Sequence, residues 1–256
     1  MFLSDRQTKI VEQAKSVGRV LVDDLAETFG VTPQTIRKDL NDLCNAQLLT
    51  RIHGGATFPR GTENVRYDAR RQIAATEKQA IGLAAARLIP DGASLFINIG
   101  TTTEAVGEAL ADHRELMVVT NNINVANRLR IVDEIDVIIA GGVVRQSDGG
   151  IVGEAAVDFI RQFKVDYAVI GASAIDPDGS IFDYDFREVK VAQAIIANAR
   201  HVILVADATK FERTAPVRLG QISQVHTFVT DRCDVAEFRQ ICQQNGVALV
   251  ESGLRG

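Results

Sequence analysis

The residues Gly100, Thr101, Thr102 and Thr103 stand between an apolar strand pattern and a helical pattern that begins at Glu104. Free N–H groups at a helix start and the helix dipole favour a phosphate, and three hydroxyls can add hydrogen bonds. Lys210 follows a later strand pattern and can supply a positive charge. These residues predict a site for a small phosphorylated ligand. The alternative is a merely capped helix start, with Lys210 an exposed loop lysine.

Two further pairs of residues follow neighbouring strand patterns. They are Thr120 with Asn121, and Gly141 with Gly142. Ligands of open α/β sheets bind outside the carboxyl ends of the strands, so we expect both pairs at the edges of the same pocket. The alternatives are a cap for the next helix at Thr120, Asn121 and Asn122, and a tight turn at the two glycines.

Asp183, Asp185 and Glu188 form an acidic group with two open interpretations. They bind ligand hydroxyls, or they form a solvated acidic loop. An enzyme that moves a proton on its substrate would need a carboxylate beside the reacting carbon, and these three residues are the candidates for that role. No lysine–carboxylate pairing follows from the sequence.

A second kind of chemistry is predicted within residues 31–56. Thr32 can cap a helix, and Pro33 fits its first position. Ile36, Leu40 and Leu43 repeat at helical spacing and can pack inward. The outward-facing side chains are then Gln34, Thr35, Arg37 and Lys38. Such groups read base edges and phosphates, although Arg37 and Lys38 are also compatible with ordinary surface charges.

The elements around this helix favour a winged helix-turn-helix. Helical patterns over residues 4–17 and 22–29 precede a turn at Gly30, which gives the helix-turn-helix order. The following segment LLTRIHGGATF alternates as a strand, breaks at Gly54 and Gly55, and resumes, as a hairpin does. Arg51 and His53 would lie on this wing, where they can face phosphate or groove.

The remainder of the chain has an α/β pattern. Residues 66–88 predict one long helix, and strand, polar loop and helix then repeat. The strands are Val/Ile-rich without alternation, which indicates a parallel sheet covered on both faces. Their predicted bounds are Ser94–Ile99, Met117–Val119, Val137–Ala140, Tyr167–Ile170 and Val202–Ala206. We therefore expect a Rossmann-like second domain.

Charge restricts where nucleic acid can bind. The 256-residue chain is 46% hydrophobic and carries a net charge of −5. Residues 1–60 hold eight Lys/Arg and seven Asp/Glu, for +1, and the remainder amounts to −6. Because an acidic body repels DNA, any DNA contact must come from a locally basic face of the N-terminal part.

Composition also bears on metals and on location. Cys44, Cys233 and Cys242 are widely spaced and the four histidines are scattered, so neither disulfides nor a metal site is predicted. No apolar run reaches the ~18 residues of a membrane span, and the polar start is not that of a signal peptide. We expect a cytoplasmic protein that has no cofactor and does not contact membranes.

Several segments together resemble the DeoR family of bacterial transcriptional regulators. They are TPQTIRKDLNDL, LLTRIHGGA, LFINIGTTTEAVGEAL, VVTNNINVANRL, IIAGGVVRQSDGGIVGEAAVDFI and FDYDFREVKVAQAII. The resemblance covers nearly the whole chain. Within the family, TNNINVAN and DGGIVGEAAVDFI are most similar to repressors of glycerol-3-phosphate regulons.

This resemblance implies a winged helix-turn-helix that binds double-stranded operator DNA. It also implies a sensor domain similar to ribose-5-phosphate isomerase that binds a small phosphorylated metabolite, glycerol 3-phosphate or a sugar phosphate. The recognition-helix, glycine–threonine and strand-end residues named above match the family's motifs. Two positions depart from the family pattern. Asn98 stands where Asp is frequent, and Leu21 where a hydroxyl N-cap is usual.

The expected organisation is a DNA-binding domain over residues 1–58, a linker with the start of a connecting helix over 59–75, and an effector-binding sensor over 76–256. The expected function is a non-enzymatic repressor, a dimer or tetramer, that a phosphorylated effector releases from its operator. Two alternatives stay open: an isomerase-like enzyme with a DNA-binding head, and a DNA-binding activator without a ligand.

Arg37→Ala tests the predicted reading face. If Arg37 hydrogen-bonds a base, its removal should weaken binding by ~1–3 kcal/mol and relax specificity at that base. The measurement is a titration against the duplex that the wild-type chain enriches from a random-sequence library. Unchanged affinity for that duplex would contradict the assignment.

Overall fold

The computed structural model describes residues 3–46, 48–52, 54–57 and 67–253. His53 and residues 59–66 of the predicted linker therefore lie outside the described residues. The chain divides into two compact units, Met1–Ile73 and Ala74–Gly256. The elements of the first unit are α1 (Asp5–Val17), β1 (Arg19–Leu21), α2 (Val22–Phe29), α3 (Pro33–Asn45), β2 (Thr50–Ile52), β3 (Gly55–Thr57) and α4 (Tyr67–Gln72).

The first three helices of this unit begin at or next to the residues that the sequence indicates. The Thr32 side chain accepts a hydrogen bond from the Thr35 backbone N–H, and Pro33 occupies the first turn of α3. Gly30 adopts a left-handed conformation, with φ of 62°, at the end of α2. Leu21 precedes α2 without a side-chain cap, as its apolar side chain dictates. The predicted helix-turn-helix is confirmed.

The wing contains one strand that the sequence analysis missed. β2 and β3 form the predicted hairpin, and β1 adds to it in the order β1-β3-β2. Gly55 is needed where β3 pairs with β1, because a Cβ there would collide with the Val20 carbonyl oxygen. Gly55 therefore lets the two strands approach closely, whereas Gly54, with φ of 74°, turns the hairpin.

The single long helix predicted over residues 66–88 is wrong. The structure has α4 (Tyr67–Gln72) and α5 (Ala75–Ala86), separated by Ile73 and Ala74. Ala74 has φ of 53°, in the left-handed region, which interrupts the helical hydrogen-bond pattern. Nothing in the local sequence signals this break, because alanine has the highest helix propensity.

The second unit is built on a seven-stranded parallel sheet in the order β15-β14-β12-β9-β4-β5-β6. The predicted parallel α/β fold is confirmed, with two strands more than the sequence indicated. Its elements are α5 (Ala75–Ala86), β4 (Ser94–Ile97), α6 (Thr101–Ala109), β5 (Leu116–Thr120), α7 (Ile123–Leu129), β6 (Ile135–Ile139), β7 (Val143–Val144), β8 (Ile151–Val152), α8 (Glu154–Ile160), β9 (Val165–Ile170), β10 (Ala174–Ile175), β11 (Ser180–Asp183), α9 (Phe186–Ala197), β12 (Ala199–Val205), β13 (Val217–Gln221), β14 (Thr227–Thr230), α10 (Ala236–Gln244) and β15 (Ala248–Glu251).

Both faces of the sheet are covered, which explains why its strands do not alternate between apolar and polar residues. Leu95 and Ile97 of β4 pack with α5, α6 and α7 on one face. Phe96 points to the other face, toward α8, α9 and α10. Two small antiparallel sheets, β10-β11-β13 and β7-β8, complete the unit.

Gly82→Ala should destabilise the second unit, because a Cβ at Gly82 would lie 2.5 Å from the Ala105 carbonyl oxygen of α6. Alanine gains about 1 kcal/mol of helix propensity, but overpacking two backbones costs about 1–3 kcal/mol. We expect a net loss in the free energy of unfolding, measured with denaturant.

Gly107→Ala is the matched control, since Gly107 also lies inside a helix. Its Cβ would make an ordinary contact, 3.4 Å from Val125 Cγ1. This variant should be neutral or slightly stabilising. Equal effects of the two substitutions would show that helix propensity, and not close helix packing, governs both positions.

Candidate functional site

The predicted effector residues follow neighbouring strands of the parallel sheet. Gly100–Thr103 follow β4, Thr120 ends β5, Gly141 and Gly142 follow β6, and Lys210 follows β12. Parallel neighbours end at the same edge of the sheet, so the topology brings all of these segments to one edge.

The turn at Gly100 presents the start of α6. Gly100 has φ of 148° and precedes the helix without a side-chain cap. The Thr103 hydroxyl donates to the Asn98 and Gly100 carbonyl oxygens, at 2.7 and 2.8 Å, and is fully buried. Thr103 therefore holds the turn in shape instead of offering a hydroxyl to a ligand. Backbone N–H groups at a helix start can bind an anion, and the start of α6 lies at this turn.

The second strand end is held by its own polar side chains. The Thr120 hydroxyl donates to the Ile97 carbonyl oxygen at 2.6 Å and accepts from the Asn122 N–H. Asn121 Nδ2 donates to the Ile151 carbonyl oxygen. Thr120 thus joins the end of β5 to β4 and does not cap the next helix. Asn122 is the cap of α7, because its side chain accepts from the Asn124 and Val125 N–H groups.

Two buried amide oxygens at these strand ends lack a donor. Within the described part of the chain, neither Asn98 Oδ1 nor Asn121 Oδ1 has a hydrogen-bond partner, although both side chains are buried. A buried acceptor without a donor is costly, so each requires a donor from a ligand or a water molecule. Asn98 is the residue that departs from the family's Asp.

A charge cluster lies beyond β12. Lys210 is 8% exposed, in a 3-10 helix over Ala208–Glu212, and its Nζ lies 3.9 Å from Asp207 Oδ2. Lys78 of α5 is 3% exposed. Burial acts to raise the pKa of Asp207, but the positive charges of Lys210 and Lys78 outweigh it and hold that pKa at about 2. Arg213, which is 9% exposed, also lowers this pKa, so the cluster holds an ionised carboxylate among buried cations.

Sequence reasoning found Lys210 but missed Asp207 and Lys78. A signal for Lys78 was present. It precedes Ile81, Gly82 and Ala85 by three, four and seven residues, which is the spacing of one helix face, and that face is buried. A lysine on such a face is a candidate for a functional charge.

The two glycines after β6 differ in role. A Cβ at Gly142, where φ is 149°, would lie 3.0 Å from Ile151 Cγ2 and 3.1 Å from the Val152 carbonyl oxygen. A Cβ at Gly141 would meet nothing within 4 Å. Gly142 is thus required by the close approach of β7 and β8, whereas Gly141 leaves open space at the sheet edge.

Asp185 and Glu188 do not form a solvated acidic loop, because their side chains are only 17% and 10% exposed. Both surround Arg145, together with Asp148. Arg145 Nη2 lies 2.6 Å from Glu188 Oε2 and from Asp148 Oδ2, and Nη1 lies 3.2 Å from Asp185 Oδ2. Burial opposes the charge of Arg145, but Asp148 and Glu188 raise its pKa. The network ties the β7–β8 hairpin to the start of α9.

The remaining contacts of this acidic segment are local. Asp185 caps α9 by accepting from the Arg187 N–H and pairs with the Arg187 side chain at 2.9 Å. Asp183 Oδ1 accepts from Ser173 Oγ and from the Tyr184 N–H. All three acidic residues are thus engaged in holding the protein's own structure.

The first unit presents the predicted reading face. Ile36, Leu40 and Leu43 are fully buried on one side of α3. The side chains of Gln34, Arg37, Lys38 and, on β2, Arg51 are exposed. Thr32 and Thr35 share a hydroxyl–hydroxyl hydrogen bond of 2.9 Å, so Thr35 belongs partly to the cap.

Two kinds of feature are absent from the described residues. No helix there has the length and apolarity needed to cross a membrane. The same part of the chain contains no group of three or more His, Cys, Asp or Glu residues that could hold a metal ion.

A helix-turn-helix unit followed by a parallel α/β unit with polar strand ends defines a transcription regulator with a sensor domain. The DeoR-like helix-turn-helix domain matches residues 6–62, and the DeoR C-terminal sensor domain matches residues 73–232. The chain belongs to the DeoR family.

The relatives of the chain agree with this assignment. The chain is 44% identical to the glycerol-3-phosphate regulon repressor of Escherichia coli K12, over 96% of this chain and 98% of that protein. It is 48% identical to the protein of the same name from Haemophilus influenzae, over 88% of each. Ribose 5-phosphate isomerase from Methanocaldococcus jannaschii aligns with a TM-score of 0.40 and 14% identity, covering 54% of this chain and 55% of that one. A likeness this distant says nothing about activity.

Asp185→Asn should remove an acid-sensitive part of the stability. Hydrogen bonds from Arg187, joined by one from Arg145, lower the pKa of Asp185 to about 2 against the effect of burial. A carboxylate with a lowered pKa stabilises the folded state above its unfolded pKa and loses that contribution as pH falls. We expect the variant to lose about 2 kcal/mol at pH 7, with the difference disappearing between about pH 5 and pH 2.

Asparagine can still cap α9, so this substitution isolates the charge. Asp158→Asn is the control, because the Asp158 side chain is 69% exposed and its pair with Arg161 should contribute little. The free energy of unfolding of each variant is measured by chemical denaturation at several pH values. A loss in Asp185→Asn that does not depend on pH would contradict the ion-pair explanation.

Proposed function

We propose that this protein is a repressor that binds operator DNA and is released by a small polyol or sugar phosphate, with glycerol 3-phosphate the preferred effector. The charge cluster of Lys78, Asp207 and Lys210 carries the proposal. Its two buried lysines place positive charge at the edge where the strands end, and positive charge favours an anionic group there. The open start of α6 supplies N–H donors for the same anion.

The buried amide oxygens support a ligand that carries hydroxyl groups. Asn98 Oδ1 and Asn121 Oδ1 accept hydrogen bonds, so they favour O–H donors and disfavour a second anionic group. Glycerol 3-phosphate combines one phosphate with two hydroxyls. The names of the Escherichia coli and Haemophilus influenzae relatives support the same effector.

In this proposal, α3 reads the operator. Arg37 or Gln34 hydrogen-bonds to bases, while Lys38, Arg51 and His53 hold the DNA backbone. A second subunit reads the other half-site, about 34–36 Å away. Effector and operator then weaken each other's binding by the same factor, and couplings of about 1–3 kcal/mol are usual.

The proposed protein is cytoplasmic and has no catalytic activity. An isomerase would need a carboxylate directed at the substrate carbon. Asp185 and Glu188 instead pair with Arg145, and Asp183 accepts from Ser173 and Tyr184. These contacts favour a sensor over an enzyme.

The test is a titration of the wild-type chain, bound to its selected duplex at fixed salt, with glycerol 3-phosphate, glycerol, inorganic phosphate and ribose 5-phosphate. We expect glycerol 3-phosphate to release the DNA and glycerol to leave it bound, because the anion site recognises the phosphate. Conversion of any sugar phosphate during the titration would support the isomerase alternative instead.

Thr101→Glu places a negative charge at the start of α6 and should make the repressor insensitive to the effector. Thr101→Gln has nearly the same size without the charge and should respond more strongly than the glutamate variant. Operator binding without effector reports whether each variant is folded. Normal release of Thr101→Glu by glycerol 3-phosphate would refute the phosphate site at Gly100–Thr103.

A further inference from the structure

One acidic residue of α3 faces inward. Asp39 directly follows Arg37 and Lys38, whose side chains are exposed, yet Asp39 is only 6% exposed. Aspartate is rarely buried unless it is paired. Because Asp39 faces away from the proposed reading face, contacts between α3 and DNA do not explain its burial.

The partner of Asp39 comes from a different helix. Arg6 Nε donates to Asp39 Oδ2 at 2.6 Å, and the Arg6 side chain is 33% exposed. Arg6 lies in the first turn of α1, whose start is fixed by a capping box between Ser4 and Gln7. The guanidinium is thus presented to α3 from a well-defined position 33 residues away in sequence.

A directional contact of this kind can fix the rotation of α3 about its own axis, which the apolar core does not fix. Ile36, Leu40 and Leu43 hold α3 in the unit, but apolar burial is non-directional and constrains rotation about the helix axis weakly. A rotation of about 15° moves an atom about 6 Å from the axis by about 1.5 Å. Such a displacement breaks hydrogen bonds to base edges.

We propose that the Arg6–Asp39 ion pair sets the rotation of α3 for operator reading, so that Asp39 is a specificity-determining residue that does not touch DNA. The inference rests on the reading face given in the proposed function. A buried ion pair is weak evidence for stability, and fixing one arrangement is its better-attested role. Two simpler roles compete: Asp39 only stabilises the fold, or it only repels phosphate.

Asp39→Asn separates these roles because they predict different combinations of gain and loss in affinity for two DNA duplexes. The substitution removes one negative charge beside DNA, so affinity for a scrambled duplex should rise, by about twofold. Loss of the positioning contact should lower affinity for the selected duplex by roughly five- to tenfold, the cost of one misplaced base contact. Both duplexes have the same length and are titrated with the full chain at the same salt concentration.

The matched control is Asp42→Asn, which removes the same charge from the same helix one turn later. It should not lower affinity for the selected duplex. The double variant Arg6→Gln/Asp39→Asn restores the wild-type net charge, so its affinity for the scrambled duplex should return to the wild-type value. Its affinity for the selected duplex should stay low.

Three results would overturn the proposal. If Asp39→Asn raises both affinities, Asp39 acts only as a charge. If it lowers both in parallel, its role is structural. If it changes neither, the pair is without effect on binding. If Asp39→Asn does not fold, Arg6→Lys replaces it. This variant keeps the charge, so only its affinity for the selected duplex should fall. If its affinity for both duplexes equals that of the wild-type chain, the positioning role is refuted.

Arg37→Ala distinguishes failure of this inference from failure of the reading face. Unchanged binding in Arg37→Ala refutes the face itself. Weakened binding in Arg37→Ala together with wild-type binding in Asp39→Asn refutes only the positioning role.

Discussion

The parallel direction of all seven strands is the constraint on which the second unit depends. It forces every strand to end at one edge, so that short polar segments far apart in sequence converge there. Because helices cover both faces, most residues inside the strands are apolar. Glycine, threonine, asparagine and lysine occur at the strand ends and in the segments that follow them, which is the position that ligands of open α/β sheets occupy.

Polar residues at this edge divide between those that hold the edge and those that we assign to the proposed effector. Thr103 and Thr120 donate to main-chain carbonyl oxygens and are fully buried, so they build the edge. Asn98 Oδ1 and Asn121 Oδ1 are buried without a hydrogen-bond donor in the described part of the chain. Lys78, Asp207 and Lys210 are buried as well, and burying charge costs free energy that well-packed apolar side chains would not incur. The proposed effector site is built on these groups.

The sequence predicts those features that depend on local chemistry. The cap at Thr32, the proline at position 33 and the glycine turns act within a few residues, and the structure contains them. It missed β1, which has three residues and forms only by pairing with β3. It also missed the break at Ala74 and the Arg145 network, whose members Arg145 and Glu188 are 43 residues apart. Long-range contacts override propensity at these positions, and one sequence carries no record of them.

Both units solve the same physical problem with buried charge. Apolar packing supplies most of the free energy of folding but tolerates small rotations, whereas a hydrogen-bonded ion pair has a definite direction. Arg6 and Asp39 join α1 to the recognition helix, and Arg145 joins the β7–β8 hairpin to the start of α9. Each pair therefore fixes the orientation of a helix relative to a neighbouring element, which apolar packing alone constrains weakly.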